Sequence, residues 1–483
     1  MGGFFGVVSK QDCLADLFYG TDYHSHLGTM RGGMAVLGEK GFTRVIHDIT
    51  SASFRSKFEP DLPRFQGRAG IGIISDFEDQ PLVIASHLGQ FAIVTVGVIT
   101  NLSELVQELY GRRPVQFSEM SNGGVNPTEL VATLINTQDS FESGIRHAQE
   151  RIQGSCSLLV LTETGDLYAA RDRYGRTPVI IGEKEGALAV AFETCCFPNL
   201  EYRVRRDLGP GEVTRLTAEG EETRLPPNGE MAICAFLWVY YGYPASSYEG
   251  QCVENVRYRC GEALARRDAG RIQADMVAGV PDSGVGHALG YARAAAVPYA
   301  RPFVKYTPTW PRSFMPQVQD HRELIARMKL IPVPDLIRGR RIVFCDDSIV
   351  RGTQLRDQVH RLYDDGASEI HMRIACPPLL FGCRFLNFSR SRSELDLAGR
   401  RTIKELEGDA ADIAAYRDPD GERFASMVER IRKRLGLASL RYQRLDDLLA
   451  AIGIPANRIC TFCWSGEDIS CKGCPGGCGG RQG

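Results

Sequence analysis

The segment RIVFCDDSIVRGTQLRDQV (341–359) holds two adjacent carboxylates, Asp346 and Asp347, followed at once by Ser348, Ile349, Val350, Arg351, Gly352 and Thr353. Neighbouring carboxylates can accept hydrogen bonds from a vicinal diol, and free backbone amides at a helix start can hold a phosphate on the same sugar. The four apolar residues Ile342 to Cys345 read as a buried strand. The acidic pair then lies at the strand's C-terminal end, where open α/β sheets bind ligands. A second loop, VPDSGVGHALGYA (280–292), has the same order of strand, tight turn and helix, with Asp282, Ser283 and Gly284 in the turn. Its amides suit a pyrophosphate. Either loop alone could be ordinary helix capping; two in one segment, one with an acidic pair, point to a phosphorylated sugar.

These loops need a parallel sheet to present them. Apolar runs at 275–280, 341–346 and 369–376 alternate with helical stretches at 289–296 and 354–366, which predicts parallel strands with crossover helices. The chain before residue 228 reads differently. Short β-like runs such as FAIVTVGVIT (91–100), SCSLLVL (155–161) and ALAVAF (187–192), separated by Gly, Asp and Asn turns, predict a layered antiparallel unit. Its first strand is MGGFFGVV (1–8), too apolar in Phe4, Phe5, Val7 and Val8 for a frayed end. The expected division is 1–228, 229–458 and a Cys-rich tail at 459–483. A charged stretch at 407–436 reads as a surface excursion that holds an amphipathic helix and a Pro-Asp-Gly turn.

The 483 residues suffice for two or three domains, and 57 basic residues against 59 acidic ones give no electrostatic reason to expect nucleic acid or a membrane surface as partner. No apolar run approaches the length of a membrane span, and no signal peptide is read at the start. A cytoplasmic, reducing location is therefore expected, in which the fifteen cysteines are thiols or metal ligands rather than disulfides.

VFCDDSIVRGTQ resembles the phosphoribosyl diphosphate (PRPP) motif of type I phosphoribosyltransferases, and PDSG resembles the pyrophosphate loop of the glutamine PRPP amidotransferase family. FETCCFPNLEYRVRRDLGPGEV (192–213), SLRYQRLDDLLAAIG (439–453) and CTFCWSGE (460–467) carry the likeness through the chain, with the segment near 407–430 as an extra insertion. The resemblance implies an N-terminal αββα glutaminase-like (Ntn-type) domain followed by a parallel-sheet phosphoribosyltransferase domain. It implies displacement of pyrophosphate from C1 of PRPP by ammonia, giving phosphoribosylamine for purine synthesis. By position Asp346 and Asp347 would hold the ribose diol and, with PRPP, Mg²⁺. Ser348 to Thr353 would cradle the 5′-phosphate, and Asp282, Ser283 and Gly284 the pyrophosphate. Lys305, Arg312 and Lys329 match cations around the family's catalytic loop. That loop departs from the family pattern, reading KYTPTWPRSF (305–314), and Gln354 replaces the motif's last threonine. A homo-oligomer is implied as well.

The family's glutaminase starts from an N-terminal cysteine in a C-G-I-F-G-I context. Aligned by its glycines, GGFFGV (2–7) puts Gly2 in the nucleophile's position. The segment carrying the glutamine-clamping Arg appears as GIISDFED (72–79), with Ser75 near the missing Arg; the oxyanion Asn is Val96; and Asn126 in NPTE takes the place of an Asp. The expectation is a domain that hydrolyses no glutamine, so that ammonia, another small amine or a separate glutaminase supplies the nitrogen, and Gly2→Ala is silent. A non-catalytic PRPP or nucleotide sensor is the alternative. Cys13 is read as an ordinary small residue at a helix start.

Some members carry a [4Fe–4S] cluster, and Cys234, Cys383, Cys460 and Cys463 match its four ligands. Cys471, Cys474 and Cys478 lie beyond the family's usual end, as further metal ligands or free thiols. Cys195, Cys196, Cys252, Cys260 and Cys376 are read as core residues, and His287 as a residue on a helix surface.

Overall fold

The structure, a computed structural model, describes residues 2–112, 116–121, 123–306, 330–386, 393–409 and 411–468. The opening run forms the strand Gly3–Ser9, paired antiparallel with both Ala69–Ser75 and Ala187–Ala191 near the middle of a seven-stranded sheet. Phe4, Phe5, Val7 and Val8 are buried on its two faces. A six-stranded antiparallel sheet that includes Gly89–Ile99 and Gly154–Thr162 packs against it, Val94, Val96, Leu159 and Leu161 sharing a core with Val7, Ile71 and Ile73. Helix Leu14–Asp22 covers the first sheet. Helices Pro127–Ile135 and Phe141–Arg151 belong with the outer face of the second, where Leu130, Leu134 and Ile145 meet Phe91, Ile93 and Val160. The layers are therefore helix, sheet, sheet, helix, as the family resemblance implies. Cys13 is buried at the start of its helix, as expected.

The second unit has a four-stranded sheet, all parallel, in the order Met276–Gly279, Arg341–Asp346, Glu369–Ile374, Ser439–Tyr442. Helices Val285–Ala295 and Thr353–Asp364 follow the first and second strands. Among the described residues no helix is long and apolar enough to cross a membrane.

Three readings are corrected. The stretch 407–436 is no excursion: in helix Glu422–Leu435, Met427, Ile431 and Leu435 are buried, and Tyr416 before it is buried too. Their four-residue spacing places them on one helix face while Glu429, Arg430, Arg432 and Lys433 take the others. Cys252 is half-buried rather than core, because it precedes helix Val253–Asp268 at a turn. His287 is fully buried, its ring 3.3 Å from the Val239 carbonyl, because its helix packs closely on Val253–Asp268: a Cβ on Gly261 would stand 1.9 Å from the His287 oxygen.

Burial lowers the pKa of His287 to about 3 and that of His24 to about 4. His24 is further fixed as neutral, since one ring nitrogen lies 2.8 Å from the Gly20 carbonyl and the other accepts from the Glu193 amide at 3.2 Å. Both values are depressed. Below about 6.5 the unfolded chain takes up protons that the fold refuses, so stability falls with pH through that window, by about 1.4 kcal/mol per unit for each histidine. Urea midpoints at pH 7 and pH 5 should show a smaller acid loss in His287→Gln than in wild type; equal losses would contradict this assignment.

Candidate functional site

Strands Met276–Gly279 and Arg341–Asp346 lie side by side with Gly279 opposite Cys345, so the turns that follow them emerge together. Ser283 Oγ, from the first turn, donates to Asp346 Oδ1 at 2.7 Å; the Asp347 amide donates to the same oxygen at 2.9 Å. Ser348 Oγ donates to Asp347 Oδ2 at 2.5 Å. Gly284 is required by this closeness, since a Cβ there would stand 2.0 Å from the Cys345 carbonyl. Lys305, the last residue of strand Phe303–Lys305, reaches back to Asp282 at 2.6 Å. Gly352 takes the left-handed conformation (φ 76°) before helix Thr353–Asp364, and no side chain caps that helix, which leaves its first amides open to an anion. Of the loop between, Ile349 is buried, Val350 is half-buried with its carbonyl bonded to the Ala398 amide, and Arg351 pairs with Asp396 at 3.2 Å. Arg312 and Lys329 lie outside the described residues.

Burial, and next the charge of Asp347, holds the Asp346 carboxyl well above the usual carboxylate range. Asp347 is also raised by burial, against hydrogen bonds from Ser348 and the positive field of Arg257. An acidic pair with Asp347 buried and Asp346 half-buried suits a diol or a divalent cation shared with substrate phosphates, which is how Mg²⁺ is commonly held. Ser283, Asp347 and Ser348 open onto a cavity of about 420 Å³ whose other walls include Phe236, Tyr240, Tyr241 and Phe381. Arg257 escaped the sequence reading; it sits among apolar residues of helix Val253–Asp268, and nothing in its spacing marks it.

The four cysteines singled out as ligands converge. Cys234 and Cys460 face each other in a short parallel pairing of Ile233–Cys234 with Ile459–Cys460, and Cys463 follows in Phe462–Ser465. With Cys383 they line one small cavity of about 10 Å³. Among the described residues no three such side chains stand where they could hold a single metal ion. The convergence of four thiols is the more informative observation, because a cluster distributes its thiolates over several irons. Burial, then the nearby Cys460 and Cys383, pushes the Cys234 thiol well up; for Cys463 the bond to Cys383 is the first cause and burial the second. Metal binding would remove those protons. Cys383 and Cys463 also line the larger cavity beside Asp347. Cys471, Cys474 and Cys478 lie outside the described residues.

At the other end of the chain, Gly2 is buried, and a Cβ there would stand 2.4 Å from the Ile74 carbonyl oxygen. The expectation that Gly2→Ala is silent is thereby corrected: the glycine is held against the backbone of the neighbouring strand. A Cβ on Gly3 would meet Leu27 and His24 at 2.6 and 2.9 Å. Val96 is an apolar core residue, and Ser75 Oγ donates to the Glu78 carbonyl at 2.7 Å. Asn126 caps helix Pro127–Ile135, accepting from the Thr128 amide at 2.9 Å, while the Glu129 carboxylate takes the Ser118 and Glu119 amides. Sequence reasoning missed Glu193, fully buried and contacted by His26 at 2.9 Å, by Tyr248 at 2.5 Å and by the Tyr243 amide. It ties the first unit to the segment 243–248 that precedes helix Val253–Asp268.

Over 97% of its length the chain is 30% identical to the amidophosphoribosyltransferase of Methanocaldococcus jannaschii, of which 97% is covered. The chain belongs to the amidophosphoribosyltransferase family. The Bacillus subtilis amidophosphoribosyltransferase is 30% identical over 87% of this chain and 88% of its own. A solved structure of the glutamine PRPP amidotransferase from B. subtilis, complexed with ADP and GMP, superposes with a TM-score of 0.82 at 27% identity, covering 96% of each chain. A glutamine amidotransferase domain model matches residues 67–198. Family membership accounts for the architecture: a layered glutamine amidotransferase domain joined to a parallel-sheet phosphoribosyltransferase domain.

Proposed function

We propose that this amidophosphoribosyltransferase relative places an amine, with ammonia giving phosphoribosylamine for purine synthesis, on C1 of PRPP and releases pyrophosphate, without a glutaminase of its own. The observation that carries the reading is the contrast between its two ends. The carboxylate pair and the pyrophosphate turn are assembled, whereas Gly2 has no side chain and no room for one. Loss of the clamp and oxyanion groups at Ser75, Val96 and Asn126 supports it. We assign residues 1–228 to the amidotransferase-like domain, 229–458 to the transferase domain and 459–483 to the Cys-rich tail.

In the step proposed, the amine lone pair forms the C1–N bond as the C1–O bond to pyrophosphate breaks, with its electron pair leaving on pyrophosphate and the amine proton passing to solvent. Asp346 and Asp347 accept hydrogen bonds from the ribose diol and so fix C1; the amides of Ser348 to Thr353 hold the 5′-phosphate; and the turn Asp282–Gly284, with Lys305 beside it, holds the leaving group. Arg312 and Lys329 are proposed as further cations there. Mg²⁺, held at Asp346 and Asp347 together with PRPP, would neutralise charge on the pyrophosphate. The four converging cysteines are proposed to bind a [4Fe–4S] cluster of structural or oxygen-sensing role.

Given PRPP and Mg²⁺ at alkaline pH, anaerobically purified protein should release pyrophosphate with ammonium and not with glutamine. Release with glutamine alone would overturn the reading. PRPP binding without release under any amine would instead make the chain a sensor.

A further inference from the structure

Arg176 belongs to the amidotransferase-like unit, yet it lines the cavity of the four cysteines. It is 1% exposed, and its guanidinium lies 3.5 Å from the ring centroid of Phe385, which fixes its plane. One terminal nitrogen donates to Cys460 Sγ at 3.4 Å and the other to Asp468 at 3.1 Å. The Arg176 backbone carbonyl accepts the amide of Cys234 at 3.1 Å, so the residue touches the strand of one thiol by its main chain and the sulfur of another by its side chain. Its Nε is buried without a hydrogen-bond partner. Among the described residues lining that cavity it is the only charged one.

A guanidinium taken out of water needs a negative charge and an acceptor for each N–H; Asp468 supplies the charge through one nitrogen, while another faces the Cys460 sulfur and Nε faces no acceptor. Neutral thiols, weak acceptors, cannot satisfy those remaining N–H groups. Four thiolates around an iron–sulfur cube, which carry net negative charge, can.

We infer that Arg176 is a positioning residue that balances the charge of the four-cysteine centre, so that the amidotransferase-like domain, with no nucleophile, remains part of that centre. The inference rests on the cluster reading above. A cation and an N–H donor at a cluster sulfur favour the reduced, more negative state and so raise the reduction potential. Arg176 touches no part of the carboxylate site, so its effect reads on the cluster before it reads on turnover.

The test uses the full chain, reconstituted anaerobically with iron and sulfide, as wild type, Arg176→Lys and Arg176→Gln. Iron and acid-labile sulfide are counted, and the midpoint potential is followed by absorbance. In the expected result all three load, the midpoint moves negative in Arg176→Gln, and Arg176→Lys falls between. A Gln variant that fails to load although its metal-free form melts like wild type also supports charge balance; if the metal-free form is itself unfolded, the midpoint of the Lys variant decides. Equal midpoints in loaded variants would overturn the role of Arg176 and leave the cluster standing. A wild type that takes up no iron would overturn the cluster and this inference with it.

Discussion

Asp347→Asn should lower ammonium-dependent pyrophosphate release by at least about a hundredfold, the scale of losing one preorganised electrostatic group at a reacting centre. The change keeps the side chain's shape and replaces an acceptor-only carboxylate by an amide, which can no longer take both a hydrogen bond from Ser348 and a share of the ribose diol and cation with the same charge. The fold should not suffer. Burial raises the Asp347 pKa, so its ionised form is a cost to the native state at pH values above the unfolded carboxyl's, and that cost vanishes when the group cannot ionise. At pH 8 the variant should therefore melt no lower than wild type while turning over far more slowly. A variant that melts early would make the activity loss uninformative; one that melts normally and still turns over would remove Asp347 from the chemistry.

Gly2→Cys is the second large expected effect, because it restores by name the nucleophile that the family uses. It should gain no glutamine hydrolysis. The new Cβ would press on the Ile74 carbonyl at 2.4 Å, and the strain of overpacking should cost about 1–3 kcal/mol of stability. A thiol placed there would still lack an oxyanion donor at Val96, which is apolar core, and a clamp at Asn126, whose Oδ1 caps its helix and whose Nδ2 donates to the Asp79 carbonyl. Gly2→Ala should be destabilised to a similar degree, read as a lowered urea midpoint. Hydrolysis of glutamine by the Cys variant would show that the pocket survived and that only the reagent was lost.

Much of this was legible in the chain. Both turns of the candidate site follow apolar runs whose period and flanking glycines specify strand, turn and helix, and the structure sets Asp346 and Ser283 within a hydrogen bond. The opening strand was legible from Phe4, Phe5, Val7 and Val8 for the same reason. What stayed hidden were polar residues buried by long-range packing. His287 sits on a helix with enough small residues to look half-exposed, and it is buried by the neighbouring helix, crossing at Gly261, together with the backbone at Val239. The amphipathic helix within 407–436 was legible, but the deep burial of Met427, Ile431 and Leu435 was not, because charges satisfied on the surface, as Arg434 is by Glu405 and Arg423 by Glu407, outnumber them. Arg176 meets a sulfur 284 residues away, a pairing that no local pattern can report.

The central claim is that nitrogen reaches C1 of PRPP from an amine and not from glutamine bound by this chain. The most direct measurement supplies PRPP and Mg²⁺ with ¹⁵N-ammonium and unlabelled glutamine together, then repeats it with the label moved to the glutamine amide. Label in the product amine only in the first tube is the predicted result; label carried from the glutamine amide in the second would contradict the account.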